Sequence, residues 1–84
     1  MTTYIYYISH MLWIDYLTSD VIDSVRDYDR SQAIADIRYF TEQLADNEYV
    51  HVEYYEILDR ENEEWCYSGE FVIKYGEEWD GKLP

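Results

Sequence analysis

The sequence predicts a small α+β domain: an antiparallel sheet of three to four strands with one main helix (residues 31–46) packed on a face. Three observations point there. Residues 31–46 repeat apolar side chains at helical spacing, two runs over 49–75 alternate around a polar loop, and residues 3–9 (TYIYYIS) are rich in β-branched and aromatic side chains. At 84 residues the chain has room for one domain. Residues 1–75 are expected to form it, with 76–84 as a flexible acidic tail, because two of the three glycines lie in GEEWDGKLP.

Taken in order, the segment Thr3 to Ser9 reads as a strand covered on both faces or central in its sheet. The run MLWIDYL that follows fits an extension of that strand, a turn or a second short strand. Residues 19–28 (SDVIDSVRDY) are ambiguous. Val21, Ile22, Val25 and Tyr28 fit one helix face with Ser19 or Asp20 as N-cap, while Ile22, Ser24, Arg26 and Tyr28 fit one side of a strand. The short helix is preferred.

Residues Ser31 to Asp46 carry the clearest pattern, with Ala33, Ile37, Phe40 and Leu44 on one face. Asp29 or Ser31 can cap the first turn, and Asn47 is a candidate left-handed stop. From Tyr49 to Leu58, Val50, Val52, Tyr54 and Leu58 alternate with Tyr49, His51, Glu53, Tyr55 and Ile57, and Glu56 interrupts the apolar face. After the polar loop Asp59 to Glu64, Trp65, Tyr67, Phe71, Ile73 and Tyr75 alternate with polar residues and Val72. The pair reads as a hairpin, with Gly69 marking a bulge.

The chain is 48% hydrophobic and 19% aromatic, too rich for intrinsic disorder. It has a single cysteine, Cys66, so no internal disulfide is possible. The apolar opening stretch lacks a basic n-region and a small-residue cleavage site and includes Asp15, so a cytoplasmic location is expected.

No catalytic residue, metal site or cofactor is expected. His10 and His51 are the only histidines, and metal ligands of this type normally come at short spacing. The acid-rich stretches starting at Asp27 and Asp59 place Gln32 and Glu64 where a calcium loop needs glycine. Cys66 lies among acids that disfavour its thiolate, and reads as core filler. No nucleophile elbow or glycine-rich phosphate loop is present.

Charge is the dominant feature. Nineteen Asp and Glu face six Lys and Arg, for a net −13. Direct nucleic-acid binding is disfavoured because phosphate contacts need bases. An anionic membrane surface is disfavoured for the same reason. The excess is uneven: residues 1–18 carry only Asp15 and read as interior, whereas residues 49–64 carry −5 of the −13.

Carboxylates two apart on a strand sit about 6.6 Å apart, and four apart on a helix about 5–6 Å, comparable to the spacing of backbone phosphates in a duplex. Glu53, Glu56, Asp59, Glu61, Glu63 and Glu64 are expected to form one acidic ridge. Asp27, Asp29 and Asp36 are expected to form another, joined by Asp20, Asp23 and Asp46. Tyr39, Tyr49 and Tyr55 lie among these acids as candidate contacts to a protein partner. The expected partner is a basic nucleic-acid-binding protein or nuclease complex. A homodimer through the YIYYI strand is a further option if that strand lies at the sheet margin.

In size, acidity and α+β content the chain resembles the small DNA-mimic inhibitors of phages and mobile elements, which include anti-CRISPR, anti-restriction and uracil-DNA glycosylase inhibitor proteins. The resemblance covers overall character and no motif. It implies a non-enzymatic inhibitor that blocks the basic groove of a host defence or DNA-processing protein. The rival readings are an immunity protein or antitoxin that neutralises a cognate nuclease toxin, and a generic acidic interaction subunit.

Overall fold

Tyr4–Asp15 form the first strand, β1, which runs through the middle of the sheet. The computed structural model describes residues 2–84. β2 (Thr18–Asp27), α1 (Arg30–Glu42), β3 (Glu48–Asp59) and β4 (Glu64–Lys74) follow, and the sheet order is β2-β1-β3-β4 with every neighbouring pair antiparallel. The α+β class and the four-stranded sheet with one packed helix are thus as the sequence predicts.

The alternation of β1 sends Tyr6, Ile8 and His10 to one face and Ile5, Tyr7 and Ser9 to the other, which explains its aromatic and β-branched composition on both sides. Ile8 lies opposite Val25 on β2 and Val52 on β3, so the apolar positions line up across the sheet. Over this face packs α1, burying Ala33, Ile37 and Phe40. Ile8, Ile37, Val50 and Val52 are fully buried, each worth about 1.5–3 kcal/mol of apolar burial.

Four expectations need correction. Residues 18–27 are a strand and not a short helix. The spacing of Val21, Ile22 and Val25 fits both periods, and pairing with β1 decides between them. The helix spans Arg30–Glu42 and stops short of Asp46; Gln43 caps it, and left-handed Asn47 (φ 67°) instead turns the chain into β3. Because β1 has a strand on each side, its edges are taken and YIYYI offers no free edge to a second copy.

The fourth correction concerns residues 76–84, which pack on the body rather than extending as a loose tail. Leu83 is buried in the core cluster, and the Tyr6 hydroxyl donates to the Pro84 carbonyl at 2.9 Å. Arg30 donates to the Leu83 carbonyl at 2.9 Å. Trp79 stacks on Phe71 at 6.3 Å, with the Arg38 guanidinium 5.7 Å from its ring. The helix packs over β1 and its two neighbours; the C-terminal segment covers the outer part of the same face, where β4 contributes Phe71 and Ile73. Gly81 allows this close approach, with φ +78° and the Arg38 guanidinium where a Cβ would lie.

A bulge at Ser68–Gly69 explains how β4 serves both faces. Tyr54 pairs with Gly69 and Tyr55 with Tyr67, leaving Ser68 as the extra residue. Trp65 and Tyr67 therefore share the open face with Tyr55, while Phe71 and Ile73 share the helix face with Val52 and Val50. The Tyr54 ring occupies the space beside Gly69 that a side chain would need.

Candidate functional site

The candidate acidic residues begin at the end of the sheet where β2 stops and β3 turns into β4. Asp29 caps α1, its Oδ1 accepting from the Ser31 N–H at 3.1 Å. Asp27 and Asp36 meet beside it. Burial, a hydrogen bond with Asp36 and the charges of Asp36 and Asp29 push Asp27 up to about 7. Its buried Oδ2 has no hydrogen-bond partner, which further disfavours the ionised form.

Across the sheet at the same end, Asp59, Glu61 and Glu63 belong to the β3–β4 turn and Glu64 begins β4. Asp59 accepts from the Glu61 and Asn62 N–H groups and from the Asn62 side chain, which holds its carboxyl below the usual range and ties the turn together. Arg60 lies 4.8 Å from the centre of the Tyr28 ring, bringing this turn toward the end of β2. These two acidic groups therefore face the same end of the molecule, whereas Asp20, Asp23 and Asp46, expected to join the first, lie away from it toward the β1–β2 hairpin turn.

Glu53 and Glu56 do not join a single ridge. Three positions apart on one strand, they project to opposite faces. Glu53 lies on the open face directly opposite Glu70. Two like charges in register repel, and His51 lies between them, bonded to Glu70 and 3.8 Å from Glu53. Tyr55 donates to Glu53 at 2.9 Å and Tyr67 donates to Glu70 at 3.1 Å. The His51 bond, and after it the Tyr67 bond, draws the Glu70 carboxyl down; the Glu53 bond chiefly raises the Tyr55 phenol, and burial, then the Glu70 bond, raises that of Tyr67.

The candidate tyrosines are also separated. Tyr55 sits in an edge-to-face row between Tyr7 (5.4 Å) and Tyr67 (5.6 Å). Tyr49, on the same open face, donates to Ser19 at 3.0 Å. Tyr39 is exposed on the helix, across the sheet from both. Ile5, opposite Tyr55 in register, is fully buried although no helix covers this side, so the rings of the strands themselves close over it.

The bases are not used to neutralise acids. Among the described residues, every ion pair within 4 Å involves a histidine: His10 with Glu48, and His51 with Glu53 and Glu70. Arg26 and Arg60 stack on Tyr28, Arg38 stacks on Trp79, and Arg30 holds the C-terminal segment. Apart from Asp27 and the carboxylates beside the histidines, the Asp and Glu side chains are left to express their charge outward. No three His, Cys, Asp or Glu side chains converge on a metal-sized site among the described residues. Cys66 is exposed rather than a core filler, because it lies opposite Glu56 beyond the reach of the helix.

Sequence reasoning missed one feature altogether. The nearly neutral opening quarter is interior only as far as His10; Trp13, Ile14, Tyr16 and Leu17 are exposed at the far end of the β1–β2 hairpin. The available signal was Asp15, whose Oδ1 accepts from the Leu17 N–H at 3.0 Å and makes the turn without glycine.

No family model, curated protein or solved structure matches this chain. No helix among the described residues is long and apolar enough to cross a membrane.

Proposed function

We propose that the protein is a non-enzymatic inhibitor that acts in the cytoplasm by occupying the basic nucleic-acid groove of a host defence or DNA-processing protein, of anti-CRISPR or anti-restriction type. The observation that carries this reading is the uncompensated carboxylate set. A chain with 19 acids and six bases has enough bases for several surface ion pairs, yet its arginines go to aromatic rings and a backbone carbonyl. Keeping like charges unpaired costs stability through self-repulsion. A basic groove supplies the missing cations, and steering brings the two surfaces together quickly.

The acids best placed for this role are Asp29, Asp59, Glu61, Glu63 and Glu64, with the Asp27–Asp36 pair beside them. The test is competition. The protein is titrated into duplex-bound nucleases and CRISPR effector complexes at about 50 and 300 mM salt. The expected result is displacement of the duplex at the lower salt and weaker displacement at the higher. Binding that leaves the duplex in place, or that ignores salt, overturns the proposal.

A further inference from the structure

The β1–β2 hairpin ends in an apolar finger at the opposite end of the 39 Å molecule from the acidic turn. Tyr16 and Leu17 form its tip and are 89% and 87% exposed; Trp13, Ile14, Val21 and Ile22 behind them are each about half exposed or more. Tight hairpin turns favour glycine, asparagine or aspartate. A tyrosine and a leucine in that position serve neither the turn nor the core. Trp13 also lines a groove of about 590 Å³ with Tyr49, Val72 and Tyr75, so the apolar surface continues from the finger onto the open face of the sheet. An apolar surface this concentrated marks a contact site.

The charge around it identifies the occupant. No Lys or Arg occurs before Arg26, so the hairpin up to Val25 carries only the charges of Asp15, Asp20 and Asp23. Asp46 and Glu48 line the groove, against a single base, Lys74. A second copy of this chain would set these acids against themselves. We propose that the finger and its groove anchor an amphipathic basic segment of a partner protein, its apolar residues received by Trp13, Tyr16 and Leu17 and its flanking Lys or Arg by the surrounding acids. This rests on the reading of a basic partner and adds the apolar contact that would hold it.

Two synthetic peptides of equal charge test it: an amphipathic leucine–lysine helix and an oligolysine. Backbone amide shifts are followed by NMR for the wild type and for the Tyr16→Ser/Leu17→Ser variant, whose altered side chains touch no core. The expected result is shifts in residues 13–22 with the leucine–lysine peptide alone, and an affinity about tenfold or more weaker in the variant, as for interface anchors. Oligolysine binding is expected to be unchanged by the variant. Equal binding of the leucine–lysine peptide to both proteins overturns the proposal and leaves the acidic-surface reading standing. If neither peptide binds, both readings fall. Sedimentation showing a dimer that the variant abolishes makes the occupant a second copy and overturns it. So does variant-sensitive binding to phosphatidylcholine vesicles, which makes the occupant a membrane.

Discussion

Asp27 at the end of β2 sets its carboxyl against that of Asp36 on α1, where the edge strand meets the helix, and burial with the Asp36 contact pushes Asp27 up to about 7. The pair ties the edge of the sheet to its cover through a group that titrates near neutrality.

Its pH dependence has a definite sign. Asp27 titrates at 3.8 in an unfolded chain and at about 7 when folded, so the folded state binds the proton more tightly. The contribution to stability is complete below the unfolded value and is lost as pH rises through about 7. Thermal melts between about pH 5 and 8 should show a falling transition temperature in the wild type. Asp27→Asn should flatten that fall, since its amide donates to Asp36 at every pH. Parallel pH profiles for the two proteins would refute the raised titration of Asp27.

The C-terminal segment should behave as part of the domain. Leu83→Ala removes a buried side chain and should cost about 2 kcal/mol in urea denaturation, while Tyr6→Phe, which loses the bond to Pro84, should cost about 1 kcal/mol. Wild-type stability in the Leu83 variant would show that this segment contributes nothing to the fold.

Gly69 should resist even alanine. An added Cβ meets the Tyr54 phenol, so Gly69→Ala should destabilise by about 1–3 kcal/mol. Combining it with Tyr54→Leu should cost less than the sum of the two changes, because the shorter side chain vacates the contested space. Strict additivity of the two would separate the bulge from the ring.

The acidic turn should carry a measurable part of the binding to cations. Glu61→Gln, Glu63→Gln and Glu64→Gln together should weaken oligolysine binding about three- to tenfold at low salt and reduce its salt dependence. Circular dichroism should stay unchanged, because all three side chains are exposed. Undiminished binding would move the basic contact away from this turn.

Local periodicity made much of the fold legible. Ala33, Ile37 and Phe40 mark a helix because no other structure puts them on one side, and Val50 with Val52 mark a strand face for the same reason. Residues 18–27 were not legible, since Val21, Ile22 and Val25 suit either period and only the partner strand chooses. The candidate site divides in the same way. Asp59 to Glu64 are adjacent in sequence and stay together in space, whereas Glu53 and Glu56 part because a strand turns its odd positions away from its even ones.

The sequence by itself determined the charge, the α+β class and the start of the one main helix, because composition and short-range spacing act without knowledge of neighbours. Only the tertiary structure decided what the bases and the apolar residues do. Arg26 and Arg60 are remote in sequence from each other yet stack on one ring, Tyr28. Leu83 enters the core while Leu17 stays in solvent. Whether a leucine is covered depends on which segments cross above it, and that is set by strand order rather than by the residue. The acids are uncompensated for the same reason: chain folding takes their possible partners elsewhere.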